Sequence, residues 1–158
     1  MKVYISSSWK LRERVRELAM VLRAAGHEVY DFTDPACRKA PEIPPEKFPE
    51  QFDPEQHRYA DYLQTVPHWR QAVEGNQKAL QWCDAVALLL PSGMDAHADA
   101  YYGLGLGKHL AVIGHPKAGE RTPTHMWANV MLDDDAEVIG WLQSLERAAT
   151  APQGDDDE

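Results

Sequence analysis

Short unbroken apolar runs along this chain alternate with longer stretches in which apolar residues recur every three or four positions. Val3 to Ser6 reads as a strand, and Leu11, Val15, Leu18, Leu22 and Ala25 then mark one face of an amphipathic helix that Gly26 ends. Glu28 to Asp31 supplies a second strand, giving the β-α-β opening of a doubly wound parallel sheet. Ala85 to Leu90 is apolar throughout, the pattern of a strand buried on both faces, and Pro91, Ser92 and Gly93 terminate it. A helix should follow, with Asp95 available as its cap and a small-residue stripe of Ala96, Ala100, Gly103 and Gly107 for close packing. Leu110 to Ile113 reads as the next strand and Asn129 to Leu132 as an edge strand. A final helix from about Asp134 to Ala149, capped by Asp133 or Asp134, turns Val138, Trp141, Leu142 and Leu145 inward. The fold class expected is α/β: a doubly wound, parallel, five-stranded sheet with helices on both faces.

Between Phe32 and Val66 the periodicity dissolves and six prolines interrupt the chain. A loop this long in a compact domain is a functional lid or a disordered segment. Phe48, Phe52, Tyr59 and Tyr62 favour an ordered lid, because disordered linkers are poor in aromatic residues. Pro67 suits the first turn of a helix reaching Trp82, on which Trp69, Val73 and Leu80 share a face with Asn76. That spacing aims an amide inward, where it needs hydrogen-bond partners.

Charge changes this picture little. Of the net −9, Asp133 to Asp135 contribute three charges and Asp155 to Glu158 four, so the body is close to neutral. Such a balance argues against a nucleic acid polymer as partner, since that affinity rests on Lys and Arg neutralising phosphates. Residues 1–151 should form a single domain and 152–158 an acidic, disordered tail. With only Cys37 and Cys83 there is no disulfide framework, and no apolar run reaches bilayer length, so a cytoplasmic protein without membrane contact is expected. The seven histidines show no zinc spacing, so neither metal nor other cofactor is expected.

In open α/β sheets ligands bind beyond the carboxyl ends of the strands, which places the turn from Pro91 to Asp95, and Asp99 just inside the helix, beside the expected crevice. The segment PSGMDAHADAYYGLGLGK resembles the nucleoside 2-deoxyribosyltransferase family and its nucleotide N-glycosidase relatives: Pro-Ser-Gly, a turn, Ala-His, a carboxylate two residues later, and a Gly-rich helix ending in Gly-Lys. ISSSW after the first strand and YDFTDP after the second are similar to weaker family motifs. The resemblance implies a flavodoxin-like fold and cleavage or transfer of the N-glycosidic bond of a nucleoside or nucleotide. Such cleavage develops an oxocarbenium-like sugar, which a carboxylate near C1′ can attack or stabilise.

Carried over by position, the nucleophile is Asp99, where the family has Glu; Asp is one methylene shorter, and a misplacement of about 1 Å can cost ~100-fold in rate. A family carboxylate in the preceding helix corresponds to Asn76, and the Gly two residues after the nucleophile to Tyr101. Substrate-binding candidates are Ser6, Ser7, Ser8 and Trp9 after the first strand, Asp31 and Phe32 after the second, Trp69, and Ser92, Gly93, Asp95 and His97 around the Pro-Ser-Gly turn. Asn129 is similar to a family Asn that reaches an active site, in some members that of a neighbouring subunit, and a homodimer or higher homo-oligomer is expected. Asp95 stands where nucleotide-using relatives often place Ser, and its charge would repel a 5′-phosphate at the helix N-terminus. Two further readings are a binding module that has lost its chemistry, suggested by Asn76 and Tyr101, and a nicotinamide dinucleotide glycohydrolase.

Overall fold

The computed structural model describes residues 1–38, 53–65 and 69–151. Five parallel strands, β1 (Lys2–Ser6), β2 (Glu28–Tyr30), β3 (Ala85–Leu89), β4 (His109–Ile113) and β5 (Val130–Leu132), form one sheet in the order β2-β1-β3-β4-β5. The helices are α1 (Arg12–Ala24), α2 (Tyr59–Thr65), α3 (Trp69–Trp82), α4 (Met94–Gly105) and α5 (Asp135–Thr150), with 3₁₀ turns at Trp9–Leu11 and Pro123–Trp127. This is the doubly wound α/β architecture that the alternation of elements predicts. Among the described residues no helix is long and apolar enough to cross a membrane.

Strand periodicity divides the core into two layers. Val3, Ile5, Ala85, Ala87, Leu89, Ala111 and Ile113 face α1 and α5, meeting Val15, Leu18, Leu22, Val138 and Leu142. Tyr4, Val86, Leu88, Leu110 and Val112 face the other way, against Leu80 of α3 and Ala96 and Ala100 of α4. Tyr4 is thus the polar exception in an otherwise apolar layer. Arg14 ties α1 to α5 through Asp135, and Asp134 caps α5 by accepting from the Glu137 backbone N–H at 2.9 Å.

The elements depart from the sequence reading in several details. Asp95 does not cap α4: the helix starts at Met94, Gly93 is the extended N-cap, and Asp95 sits exposed in the first turn. Gly107 lies past the helix end at φ 78°, so it serves as the left-handed exit, and the buried stripe stops at Gly103. Val73 is 56% exposed, because α3 meets the sheet only through its last turns, where Ala79 and Leu80 are buried. β2 ends at Tyr30, where Asp31 accepts a hydrogen bond from the Thr33 N–H at 2.8 Å and turns the chain. Residues 39–52 and 66 of the expected lid, with Phe48 and Phe52, and Pro67 at the expected start of the next helix, lie outside the described residues.

Gly103 sets how closely α4 approaches the sheet. A Cβ there would stand 2.7 Å from Val86 Cγ2 and 3.3 Å from Leu80 Cδ2. Gly103→Ala should therefore destabilise the protein by about 1–3 kcal/mol, read as a lower denaturation midpoint. An unchanged midpoint would mean that the helix can ride outward at no cost.

Candidate active site

α4 runs antiparallel to the strands, so its first turn sits at their carboxyl ends and its two flanks look in different directions. On the flank toward α3 and β1, the Asp99 carboxylate lies half-buried in a polar niche. Its Oδ2 accepts hydrogen bonds from the Tyr4 hydroxyl at 2.9 Å and the Asn76 amide nitrogen at 3.0 Å. Asn76 in turn accepts from the Tyr30 hydroxyl at 3.2 Å. Tyr4 and Tyr30 are register partners on β1 and β2, and their rings stack at 5.0 Å with planes 6° apart. Both bonds to Asp99 fall on Oδ2; Oδ1 takes none from any described residue.

The electrostatics follow from this niche. Burial raises the Asp99 carboxyl above its ordinary range; the Tyr4 and Asn76 bonds hold it back, and the Asp95 charge raises it further. Burial, then the Asp99 charge, pushes the Tyr4 hydroxyl well up, and burial above all takes Tyr30 to about 12. Both phenols therefore stay protonated donors at neutral pH.

The opposite flank of α4 carries His97, two residues from Asp99 and so on the far side of the helix. His97 Nδ1 lies 2.9 Å from the Gly93 carbonyl oxygen, and its Nε2 lies 2.9 Å from Nε2 of His125. A carbonyl only accepts, so Nδ1 of His97 carries hydrogen; its Nε2 is the lone pair, and His125 donates. The ring planes differ by only 11°, and the two imidazoles meet edge to edge. Burial and the adjacent His97 hold the buried His125 below its ordinary range. Ser92 Oγ, 3.5 Å from His97 Nδ1, meets a nitrogen already committed to Gly93, so this is no nucleophilic Ser-His pair.

The sequence-predicted residues thus divide. Asp99 and Asn76 are joined directly, Asp95 stands one turn away on the same flank, and Ser92, Gly93 and His97 form a second group with His125. The serines after β1 serve the scaffold: Ser6 Oγ donates to the Ala96 carbonyl at 2.8 Å, Ser7 Oγ to the Leu89 carbonyl at 3.0 Å, and Ser8 caps the 3₁₀ turn through Lys10 N. Trp9 and Phe32 pack edge to face at 5.2 Å, with Arg38 over the indole, at the carboxyl ends of β1 and β2. Buried Asp31 makes the turn after β2, and Trp69 packs on Tyr62 at 6.4 Å. Asn129 lies at the opposite, amino end of β4, where its Oδ1 accepts from Leu110 N at 2.7 Å. Tyr4, Tyr30 and His125 are the site residues that sequence reasoning missed; the signal available was a phenol on each of two neighbouring strands, since a buried hydroxyl needs a partner.

Among solved structures, a 2-deoxyribosyltransferase from Bacillus psychrosaccharolyticus superposes on 88% of this chain and 90% of its own, with TM-score 0.58 and 18% identity. The chain has the 2-deoxyribosyltransferase fold. The CMP N-glycosidase of Clostridium botulinum shares this fold over 90% of this chain and 99% of its own, with TM-score 0.50 and 14% identity. No protein family model and no curated protein matches the sequence. The described residues contain no group of three or more His, Cys, Asp or Glu placed to hold a metal.

Proposed function

We propose that this protein cleaves or transfers the N-glycosidic bond of a nucleoside or nucleotide, with Asp99 as the nucleophile at sugar C1′. The observation that carries this reading is the asymmetry of the carboxylate: two donors hold Oδ2, while Oδ1 takes no bond from a described residue. A nucleophile needs that combination of fixed orientation and a spare lone pair. The fold, shared with a deoxyribosyltransferase and an N-glycosidase, supports the reaction class. Incubation with a panel of nucleosides, 5′-monophosphates and dinucleotides, with chromatography for free base, tests it. Base release by the native chain is expected, and a panel left intact would overturn the proposal.

A second reading, binding without turnover, is favoured by Asn76 in place of an acid and by Tyr101, whose buried hydroxyl has no hydrogen-bond partner among the described residues. Saturable binding of a nucleoside with no base released would establish it.

Asp95 is expected to set phosphate preference. Exposed in the first turn of α4, it puts a negative charge where a helix N-terminus would otherwise receive a phosphate. Nucleosides should bind more tightly than their 5′-monophosphates, and Asp95→Ser should narrow or reverse the ratio in calorimetric titrations. An unchanged ratio would remove Asp95 from recognition.

A further inference from the structure

Among the described residues, the niche around Asp99 is short of proton donors for a departing base. Every group bonded to the carboxylate or to its amide partner is an amide or a phenol: Asn76, Tyr4 and Tyr30. An amide cannot act as an acid, and phenols that burial pushes up, Tyr30 to about 12 and Tyr4 well above its ordinary value, hold their protons too firmly to give them up at neutral pH. The charged and titratable groups bearing on these phenols are Asp99 itself, Asp31, Arg38, Cys37 and Cys83. Asp95, one turn along α4, is exposed and bonds to none of these groups. His97 and His125 stand on the opposite flank and are bonded to each other.

We propose that the substrates of this site are N-glycosides whose base is already cationic, such as N-ribosyl pyridinium compounds or N7-alkylated purine nucleosides. The inference rests on the N-glycosidic reading of Asp99. Oδ1 attacks C1′ while the C1′–N bond breaks; the bond pair returns to the positively charged ring, and the base leaves neutral without taking a proton. Water then attacks C1′, the Asp99 carboxylate is released, and the water's proton passes to solvent. A neutral base would instead depart as an anion or wait for an acid, and an absent general acid costs about 10²–10⁴ in rate. Charge favours the same class: Asp99 and Asp95 form no ion pair with a described cationic side chain.

The test compares kcat/KM for nicotinamide riboside and for inosine in the native chain, Asn76→Asp and Asn76→Ala. Because pyridinium glycosides are intrinsically more labile, the decisive reading is how the ratio changes. In Asn76→Asp two carboxyl groups about as close as the present bond share one proton and supply the missing acid, so inosine turnover should rise and the ratio fall by at least about tenfold. Asn76→Ala adds no acid; both rates should drop together and the ratio stay within about threefold. The proposal is overturned if native turnover of inosine equals that of nicotinamide riboside. It is likewise overturned if Asn76→Asp, folded by circular dichroism, leaves inosine turnover unimproved while either compound is cleaved by the native chain. Cleavage of neither compound, nor of any other N-glycoside, overturns the nucleophile reading as well.

Discussion

Asp99→Asn should abolish base release, to less than about 10⁻³ of the native rate, while the melting temperature at pH 7.5 stays at or above the native value. The amide oxygen can still accept from Tyr4 and Asn76, so packing is kept, but an amide cannot serve as the carboxylate nucleophile. The stability half of the expectation follows from the raised ionisation of Asp99, which burial drives. A carboxyl whose folded value lies above its unfolded one favours folding at low pH and loses that contribution as pH rises through the folded value. Above that range the native protein carries a buried charge that the variant lacks; below the unfolded value the difference disappears. Thermal denaturation of both proteins from pH 3.5 to 8 measures it. A variant that is less stable at pH 7.5 and regains native stability in acid would mean that the carboxylate is a structural anchor.

The second large effect belongs to Tyr4. Its hydroxyl donates 2.9 Å to the carboxylate oxygen, and a hydrogen bond to a charged group is worth about 1.5–3 kcal/mol. Tyr4→Phe keeps the stack on Tyr30 and removes that donor, which now holds the Asp99 carboxyl down. The carboxyl should move further up, so the acid limb of the pH–rate profile shifts to higher pH. Activity should fall by roughly 10–100-fold on the acid limb and by less on the alkaline plateau, where the carboxylate is ionised in both proteins. An equal loss at every pH would assign Tyr4 to packing alone.

The departures at positions 99 and 76 read differently once the niche is seen. An aspartate one methylene short of glutamate is a defect only if nothing else has moved, yet here Tyr4 and Asn76 reach Asp99 at ordinary hydrogen-bond distances. Asp99→Glu would push the carboxyl past both donors, and turnover should drop rather than recover. The niche fits the shorter side chain.

Much of this was legible in the chain because buried parallel strands leave an unmistakable apolar signature: β1, β3 and β4 fall within one residue of their expected bounds. β2 was read one residue too long, since Asp31 turns the backbone with its own carboxylate, a local bond that no periodicity reports. The meeting of Asp99 with Asn76 was foreshadowed by the inward aim of the amide. The separation of His97 from Asp99 was also available from helical geometry, as residues two apart do not share a face. Hidden from the sequence were the phenols of Tyr4 and Tyr30: a tyrosine in a strand reads first as bulk, and only register shows that its hydroxyl reaches a carboxylate on another element. The capping role given to Asp95 failed because the N-cap lies two residues earlier, at Gly93, which makes no side-chain cap bond.

Covalent trapping measures the central claim most directly. The native chain is incubated with a 2-fluoro-arabinosyl glycoside of nicotinamide, whose fluorine slows release of the sugar from a carboxylate nucleophile while the cationic base still leaves, and the digested protein is read by mass spectrometry. The account predicts one sugar bound through an ester to the peptide that contains Asp99, and no such adduct in Asp99→Asn. Base released by the native chain with the sugar esterified elsewhere, or with the same adduct persisting in Asp99→Asn, would contradict it.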